Sequence, residues 1–283
     1  MHISVIIPVY NSESTVAFAI ESVLRQDYSS KELIIVDGNS SDGTLDVIGR
    51  YADDIAVLIS EDDSGYADAL NKGIKASSGD FVLMLAADDR LLPRAISNFS
   101  TTILSETDVW CGSVILKMSY GYLIRKSNPN LEELLNNCAL ENAATFYRKE
   151  IFARFGHFST DYKCANDREM FLKLYRNNAC FQIEPTPITL FEMGGLSMAD
   201  PGRFAIPEDE LISVRYGVDP EIIRGNSRKV KRSLLIQKFI EPIKVFLFKV
   251  GMISFVYRLL GKKDRYLTRE DMLSLEVPSD WLR

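Results

Sequence analysis

The sequence predicts an α/β fold with a mostly parallel sheet covered by helices. Four apolar runs alternate with three stretches of helical periodicity within the first ninety of the 283 residues. The runs are apolar along their whole length, as strands buried on both faces are. Such alternation places the strands side by side and packs the connecting helices on the two faces of the sheet.

Each element of this first half follows from a local pattern. The opening run, 3–9, ends at turn residues 10–13, and a helix follows with apolar residues at helical spacing, among them Val16, Ile20 and Val23. The loop over 37–44, rich in Gly and Asp, separates a strand over 33–36 from a second helix. The remaining predicted elements are a strand over 55–59, a helix over 66–76 and a strand over 81–85.

The pattern changes after Pro93. A helix is predicted over 94–104, a hairpin over 109–125, a short helix over 131–136 and an amphipathic helix over 167–177. Two late strands are predicted over 181–183 and 188–191, and a helical region from about residue 201. We therefore expect a ligand-binding first half over 1–105, a second half of the same domain over 106–200 and a basic amphipathic helical tail over 201–283.

Three of the predicted strands end in acids. Asp37 follows the second strand, Glu61 the third, and the pair Asp88-Asp89 the fourth. Ligands of open parallel sheets bind at the carboxyl ends of the strands, and carboxylates there can hold a divalent metal that neutralises a diphosphate. These acids therefore predict one site, although polar turns after strands are a common alternative.

Sequence motifs and cysteine spacing exclude several kinds of binding site. No GxGxxG follows the first strand and no GxxxxGK[ST] occurs, which argues against dinucleotide and P-loop sites. The four cysteines show no metal-binding spacing, and free thiols in a reducing cytoplasm are expected. The first eight residues have the pattern of a strand and not of a leader peptide.

Charge is distributed unevenly. Between Arg224 and Arg265 there are 12 basic and two acidic residues, while the rest of the chain carries 21 and 37, a net charge of −16. An acidic body argues against nucleic acid as a partner. The tail is basic and interrupted by too many charges to span a bilayer, so it predicts an interfacial helix on an anionic membrane surface. The alternative is a helical appendage packed on the body or on a second subunit.

Ordered blocks over residues 3–198 resemble the family 2 glycosyltransferases with the GT-A fold, of the bacterial polysaccharide type. The GT-A fold is Rossmann-related and agrees with the fold class above. The blocks are the opening strand, the first helix, the loop after the second strand, the segment before the fourth strand, and an Asn-Asp pair before an amphipathic helix; they stand at 4–11, 22–26, 32–44, 71–80 and 166–167.

The resemblance implies a role for particular residues. Asp88 would bind Mg²⁺ or Mn²⁺ as the last acid of a motif whose first acid is absent here, where Ala86 stands. Asp167 would be the catalytic base, or else would only cap its helix. The nucleotide sugar, UDP- or GDP-linked, would be held by a larger set, Pro8, Tyr10, Glu13, Asp37, Asp63, Asp88 and Gly195.

Several of these assignments have plain structural alternatives. A loop-capping turn would explain Asp37, and core packing would explain Tyr10. A solvated acidic turn would explain Asp63.

The function implied is a metal-dependent, inverting hexosyltransferase-like enzyme of cell-surface polysaccharide synthesis. It would move a sugar from a nucleotide diphosphate to a glycan or a polyprenyl-linked acceptor. We expect it in the cytoplasm, peripheral on the inner face of the cell membrane. The alternatives are a non-catalytic sugar-nucleotide binder, suggested by the absent first acid, and a nucleotidyltransferase on a similar fold.

Overall fold

The computed structural model describes residues 1–136, 139–193, 205–259 and 266–282. Its ten strands lie in one sheet. They are β1 Ile3–Val9, β2 Lys31–Asp37, β3 Val57–Ser60, β4 Phe81–Met84, β5 Arg90–Leu91, β6 Val109–Met118, β7 Gly121–Arg125, β8 Thr145–Arg148, β9 Phe181–Glu192 and β10 Tyr266–Leu267.

Ten α-helices lie within the described ranges. They are α1 Val16–Leu24, α2 Thr44–Gly49, α3 Tyr66–Ala76, α4 Ala95–Thr102, α5 Glu150–Phe155, α6 Asn166–Arg176, α7 Ala205–Arg215, α8 Pro220–Lys249, α9 Ile253–Leu259 and α10 Arg269–Ser274. Short 3-10 turns over 52–54, 131–135, 142–144 and 279–282 complete the secondary structure of these residues.

The sheet has a parallel half and a mixed half. Strands run in the order β10-β7-β6-β8-β4-β1-β2-β3, and β9 pairs with β5 and β6. The pairs β1–β2, β1–β4 and β2–β3 are parallel, as the alternating pattern predicts. Beyond β4 most pairs are antiparallel: β6 and β7 form a hairpin, and β8 pairs with both β4 and β6. The predicted α/β class is confirmed, with the parallel arrangement concentrated in the first half.

Alternate residues of the central strands point to opposite faces and enter separate cores. Val5 and Ile35 pack with α1 and α4 on one face, while Ile6 and Ile34 pack with α3 and α6 on the other. All seven residues of β1 are buried. Burial on both faces explains why these strands have no polar alternation in the sequence.

Two predictions for the second half are wrong in detail. The late strands expected over 181–183 and 188–191 are one strand, β9, which runs through Pro185 and Pro187. Proline cannot donate to a strand ladder, and the pairing with β6 is irregular here, with register shifts between Cys111 and Val114. The strand continues past the prolines because its parallel partner β6 carries the pairing on both sides.

The described residues from 205 onward are mostly helical, as predicted, but they do not form a separate tail throughout. Ile212 of α7 is fully buried in the core beside α6. At the other end, β10 pairs with β7, and Met272 and Trp281 pack with Ile115 on the sheet. The long helix α8 has several exposed apolar residues, among them Leu235, Phe239 and Phe246, whereas Ile253 and Tyr257 of α9 are buried.

Candidate active site

A cleft of about 630 Å³ opens at the carboxyl ends of β1 and β4. Four predicted site residues line it together, namely Pro8, Tyr10, Asp88 and Asp167. They come from widely separated parts of the chain, so the fold, and not the local sequence, brings them together. The rest of the wall is Asn11, Ser12, Ser14, Thr15, Tyr66, Ala86, Ala87, Asp89, Arg125, Glu141, Asn142, Ala143, Lys163, Cys164, Asn166, Phe191 and Glu192.

Asp88 and Asp89 have different surroundings. Asp88 is half-buried in the cleft wall, and burial raises its pKa. Asp89 is only 1% exposed and accepts a hydrogen bond from the Glu192 backbone N–H at 3.0 Å, while burial, and then the charge of Asp88, raise its pKa well above the usual range. Asp88 is therefore the member of the pair that can reach a ligand, and Asp89 supports the turn behind it.

The residues around Asp88 fit a substrate-completed metal site better than a protein cage. Within the described residues, no three His, Cys, Asp or Glu side chains converge as a metal-binding group. The neighbouring Glu192 carboxylate is already paired with Lys117 at 2.8 Å and Arg90 at 3.2 Å. Mg²⁺ is commonly held by one or two carboxylates together with substrate phosphates and water. The single accessible carboxylate of Asp88 suits that mode of binding.

Asp167 is the second residue of α6, and its side chain lines the cleft. Its Oδ1 accepts the Arg168 backbone N–H at 2.7 Å. Burial raises the pKa of Asp167, and this hydrogen bond partly opposes the rise. The N-cap position belongs to Ala165, so Asp167 does not fill it. A carboxylate with a raised pKa in a cleft has the properties of a general base.

Arg168 points away from the cleft. Its guanidinium is 1% exposed and bonds to Asp209 at 3.1 Å and to the Ser213 hydroxyl at 3.0 Å. Glu141 pairs with Arg125 at 2.5 Å, and both of these residues line the cleft. Arg168 therefore joins α6 to α7 and does not serve the cleft. Arg125, from β7, places its guanidinium in the cleft wall.

The predicted base pocket is assembled only in part. Tyr10 is 65% exposed at the cleft, whereas Asp37 is fully buried and accepts hydrogen bonds from the Ser40 hydroxyl at 2.5 Å and the Ser60 hydroxyl at 2.8 Å. The carboxylate of Asp37 therefore caps its own loop in this structure. This is the loop-capping turn that the sequence offers as the alternative to base binding.

Glu13 and Asp63 border the same loop from outside the cleft wall. Glu13 accepts the Gly43 N–H at 3.2 Å, and a Cβ at Gly43 would meet its carboxylate at 2.6 Å. Asp63 accepts the Gly65 N–H at 2.9 Å, and a Cβ at Gly38 would collide with its carboxylate. Glycines at 38 and 43 thus let two acids lie against the loop backbone. Gly195 lies outside the described residues.

The prediction that all acidic strand ends form one site is wrong for Glu61. Glu61 is 60% exposed and pairs with Lys72 at 2.9 Å. Its strand β3 lies three positions from β4 in the sheet, and neighbouring strands are about 4.8 Å apart. The end of β3 is therefore roughly 14 Å from the end of β4, which is too far for a shared cation.

Sequence reasoning missed Tyr66, Arg125, Glu141 and Asn142. Burial, followed by the charges of Asp89, Asp167 and Asp88, raises the pKa of Tyr66, whose hydroxyl bonds to the Asn142 side chain. Tyr66 and all three of these carboxylates line the cleft. The residues come from α3, β7 and the turn before β8, and no motif links them in the sequence.

Most of the first two thirds of the chain matches a known protein family. A model described as "Glycosyl transferase family 2" matches residues 4–171, more than half of the chain. The chain belongs to glycosyl transferase family 2. This confirms the resemblance that the sequence blocks carry.

Two curated family 2 relatives show how far the likeness extends. A PGL/p-HBAD biosynthesis glycosyltransferase of Mycobacterium tuberculosis is 27% identical over 205 residues, 69% of this chain and 78% of that protein. An Escherichia coli UDP-Glc:alpha-D-GlcNAc-diphosphoundecaprenol beta-1,3-glucosyltransferase is 40% identical over 88 residues, 31% of this chain and 35% of that one. Glycosyl transfer is therefore the general activity of proteins similar to this one.

Solved structures confirm the GT-A fold. S. aureus TarS 1–349 in complex with UDP-GlcNAc aligns with a TM-score of 0.61 and 19% identity over 75% of this chain and 64% of that one. The mannosyltransferase PcManGT from Pyrobaculum calidifontis, in complex with GDP-Man and Mn²⁺, aligns with a TM-score of 0.60 and 17% identity, over 100% of this chain and 88% of that one.

Proposed function

We propose that this family 2 member transfers a sugar, with inversion, from a nucleotide-diphosphate donor to a hydroxyl of a glycan or lipid-linked acceptor in cell-surface polysaccharide synthesis. The observation that carries this proposal is the meeting of Asp88 and Asp167 in one cleft. The E. coli relative is named for a diphosphoundecaprenol acceptor, which supports the lipid-linked class.

Asp167 acts as the base in this proposal. An acceptor hydroxyl entering the cleft would donate its proton to the carboxylate as the new C–O bond forms, and a single direct displacement inverts the anomeric carbon. The raised pKa makes the ionised carboxylate a stronger proton acceptor than an exposed aspartate. Arg125 places a guanidinium in the cleft wall, where the carboxylate of Glu141 balances its charge.

Asp88 holds the donor end. A Mg²⁺ or Mn²⁺ ion bound there with the donor's diphosphate oxygens would neutralise the charge of the leaving group. Pro8 and Tyr10 present apolar and aromatic surface beside it for the base and ribose. Asp63, Glu13, Asp37 and Gly195 remain proposed contacts, and in this structure the Asp37 carboxylate would have to exchange its serine partners for the base.

One observation favours a second candidate, a sugar-nucleotide binder without turnover. Ala86 stands where family members carry the first metal acid, so the cation would have one protein carboxylate fewer. A weakly held metal would permit binding and slow the chemical step. Family membership removes the reason for a nucleotidyltransferase.

A thermal-shift screen of nucleotide sugars with and without Mn²⁺ tests donor binding. A ligand at a hundred times its dissociation constant stabilises the fold by about 2.7 kcal/mol, so the true donor should raise Tm by roughly 4–5 °C in a chain of this size. The same donor, radiolabelled, should then label extracted polyprenyl-diphosphate sugars. Equal shifts for every nucleotide sugar, unaffected by Mn²⁺, would contradict the proposal.

The exposed face of α8 supports a further part of the proposal, association with an anionic membrane. Its apolar residues recur at three- and four-residue steps and remain exposed: Leu235 60%, Phe239 76%, Ile243 57%, Phe246 62% and Val250 49%. No helix of the described residues is long and apolar enough to span a bilayer. Exposed basic residues, among them Lys231, Arg232 and Lys249, flank the stripe, which is the arrangement of an interfacial helix. Peripheral binding at the cytoplasmic face would bring the enzyme to lipid-linked acceptors.

Vesicle flotation tests this surface without removing the helix. The double variant Phe239→Ser/Phe246→Ser should reduce binding to vesicles containing phosphatidylglycerol at least tenfold, because each buried Phe contributes about 1.5–3 kcal/mol. Leu104→Ser, which removes a 54% exposed apolar side chain from the body, is the matched control and should bind like wild type. Unchanged binding of the double variant would argue against the membrane surface.

A further inference from the structure

The backbone immediately before α6 is held by a side chain from a distant helix. Three consecutive N–H groups, those of Lys163, Cys164 and Ala165, donate to the carboxylate of Glu208 at 2.8, 2.9 and 3.0 Å. Successive backbone N–H groups that converge in this way form an anion-binding nest. In this protein the nest is filled by an internal anion from α7.

The position of Glu208 supplies what α6 lacks in its own sequence. The N-cap residue of α6 is Ala165, which has no side-chain oxygen to accept from the first turn. A carboxylate at a helix N-terminus also interacts favourably with the helix dipole. Glu208 therefore satisfies the N–H groups of the three residues that lead into α6, while the Arg168 N–H in the first turn is accepted by Asp167.

Two further contacts join α7 and its following turn to α6. Asp209 pairs with the buried Arg168 guanidinium at 3.1 Å, and the Tyr216 hydroxyl donates to Glu169 at 2.6 Å. Arg168 directly follows Asp167, so the residue after the proposed base is fixed through α7. The first turn of α6 is thus held at its backbone and at two of its side chains.

We infer that Glu208 is a positioning residue for catalysis. Through the loop over 163–165 it fixes where the Asp167 carboxylate lies in the cleft and in which direction it points. This inference rests on the proposed function, because it assigns Glu208 a role only if Asp167 is the base. Lys163 and Cys164 line the same cleft, so a shift of this loop moves the cleft wall and the base together.

The expected effect is kinetic. A misplacement of about 1 Å in a reacting group can reduce the rate by about a hundredfold. The donor end of the cleft is formed by Pro8, Tyr10 and Asp88, whereas Glu208 bonds to the loop over 163–165, so we expect donor binding to be independent of Glu208.

The test compares Glu208→Ala and Glu208→Gln in the full-length protein. Glu208→Ala should lower kcat roughly 10- to 100-fold while the donor KM and the donor-induced Tm shift stay at wild-type values. Glu208→Gln keeps a carbonyl oxygen for the N–H groups and should recover part of the loss, which also covers the case in which the alanine variant folds poorly. Glu210→Ala is the matched control on the same helix, because Glu210 accepts a hydrogen bond from the Ser227 hydroxyl of α8 at 2.5 Å.

The outcomes separate this inference from the proposed function. If Asp167→Asn is inactive and Glu208→Ala has wild-type kcat, the positioning role is wrong and the base assignment stands. A Glu208→Ala variant that loses donor binding in proportion to kcat also overturns the inference, because the defect is then general. If Asp167→Asn keeps full activity, the proposed base itself is wrong.

Discussion

Asp167→Asn should abolish most sugar transfer while leaving donor binding intact. General-base catalysis contributes about 10²- to 10⁴-fold, and the amide cannot accept the hydroxyl proton at neutral pH. The wild-type rate should rise with pH through the raised pKa of Asp167, and the variant should lose that dependence. Initial rates with a radiolabelled donor between pH 4 and 8 measure both effects.

The same variant should be more stable than wild type at neutral pH. Burial raises the pKa of Asp167 above its unfolded value, so this carboxyl favours folding below the unfolded pKa, and the contribution is lost as pH rises through the folded pKa. An uncharged amide avoids the loss. Asp161→Asn in the preceding loop, 74% exposed, is the matched control and should change neither rate nor Tm. Near-wild-type transfer by Asp167→Asn would refute the base role.

Asp88→Ala should reduce transfer by at least about a hundredfold and should also remove the Mn²⁺ dependence of donor binding. Stabilisation of the leaving diphosphate by a cation contributes several kcal/mol, and each 1.36 kcal/mol is a factor of ten in rate. Isothermal titration with the donor, with and without Mn²⁺, measures the binding effect separately from turnover.

Asp80→Asn provides the control for Asp88 at the opposite end of the same strand. Asp80 is 59% exposed and accepts the His2 N–H at 2.7 Å, a bond that an amide oxygen can keep. It should leave binding and turnover unchanged. If Asp88→Ala binds the donor with the same Mn²⁺ dependence as wild type, Asp88 is not the metal ligand, and the acidic strand end is structural.

The sequence predicts the first half of the fold well because burial there is local and continuous. Each of β1, β2 and β4 contains at least four consecutive residues that are apolar, or apolar with one proline, so its type follows from its own composition. The second half depends on pairing between distant segments. The prolines of β9 argue against a single strand, and only the partner β6, some seventy residues earlier, explains why the strand continues.

The site was predictable where a residue ends a strand or begins a helix, as Asp88 and Asp167 do. Arg125 and Glu141 could not be found in this way, because their pairing depends on how the β6–β7 hairpin lies against the turn before β8. Asp37 shows the opposite limit. Its position in the sequence is that of a ligand, but two serines, Ser40 of the following loop and Ser60 at the end of β3, donate hydrogen bonds to its carboxylate.

The return of the chain after α9 has a practical consequence for experiments on the long helix. Deleting everything after residue 224 would expose Leu92, Ile115 and Leu190, which Met272 and Trp281 cover. It would also leave β7 without its partner β10, as an open edge that can pair with another molecule. A shortened protein would then aggregate for reasons unrelated to lipids, so the role of α8 is better probed by point substitutions in the intact chain.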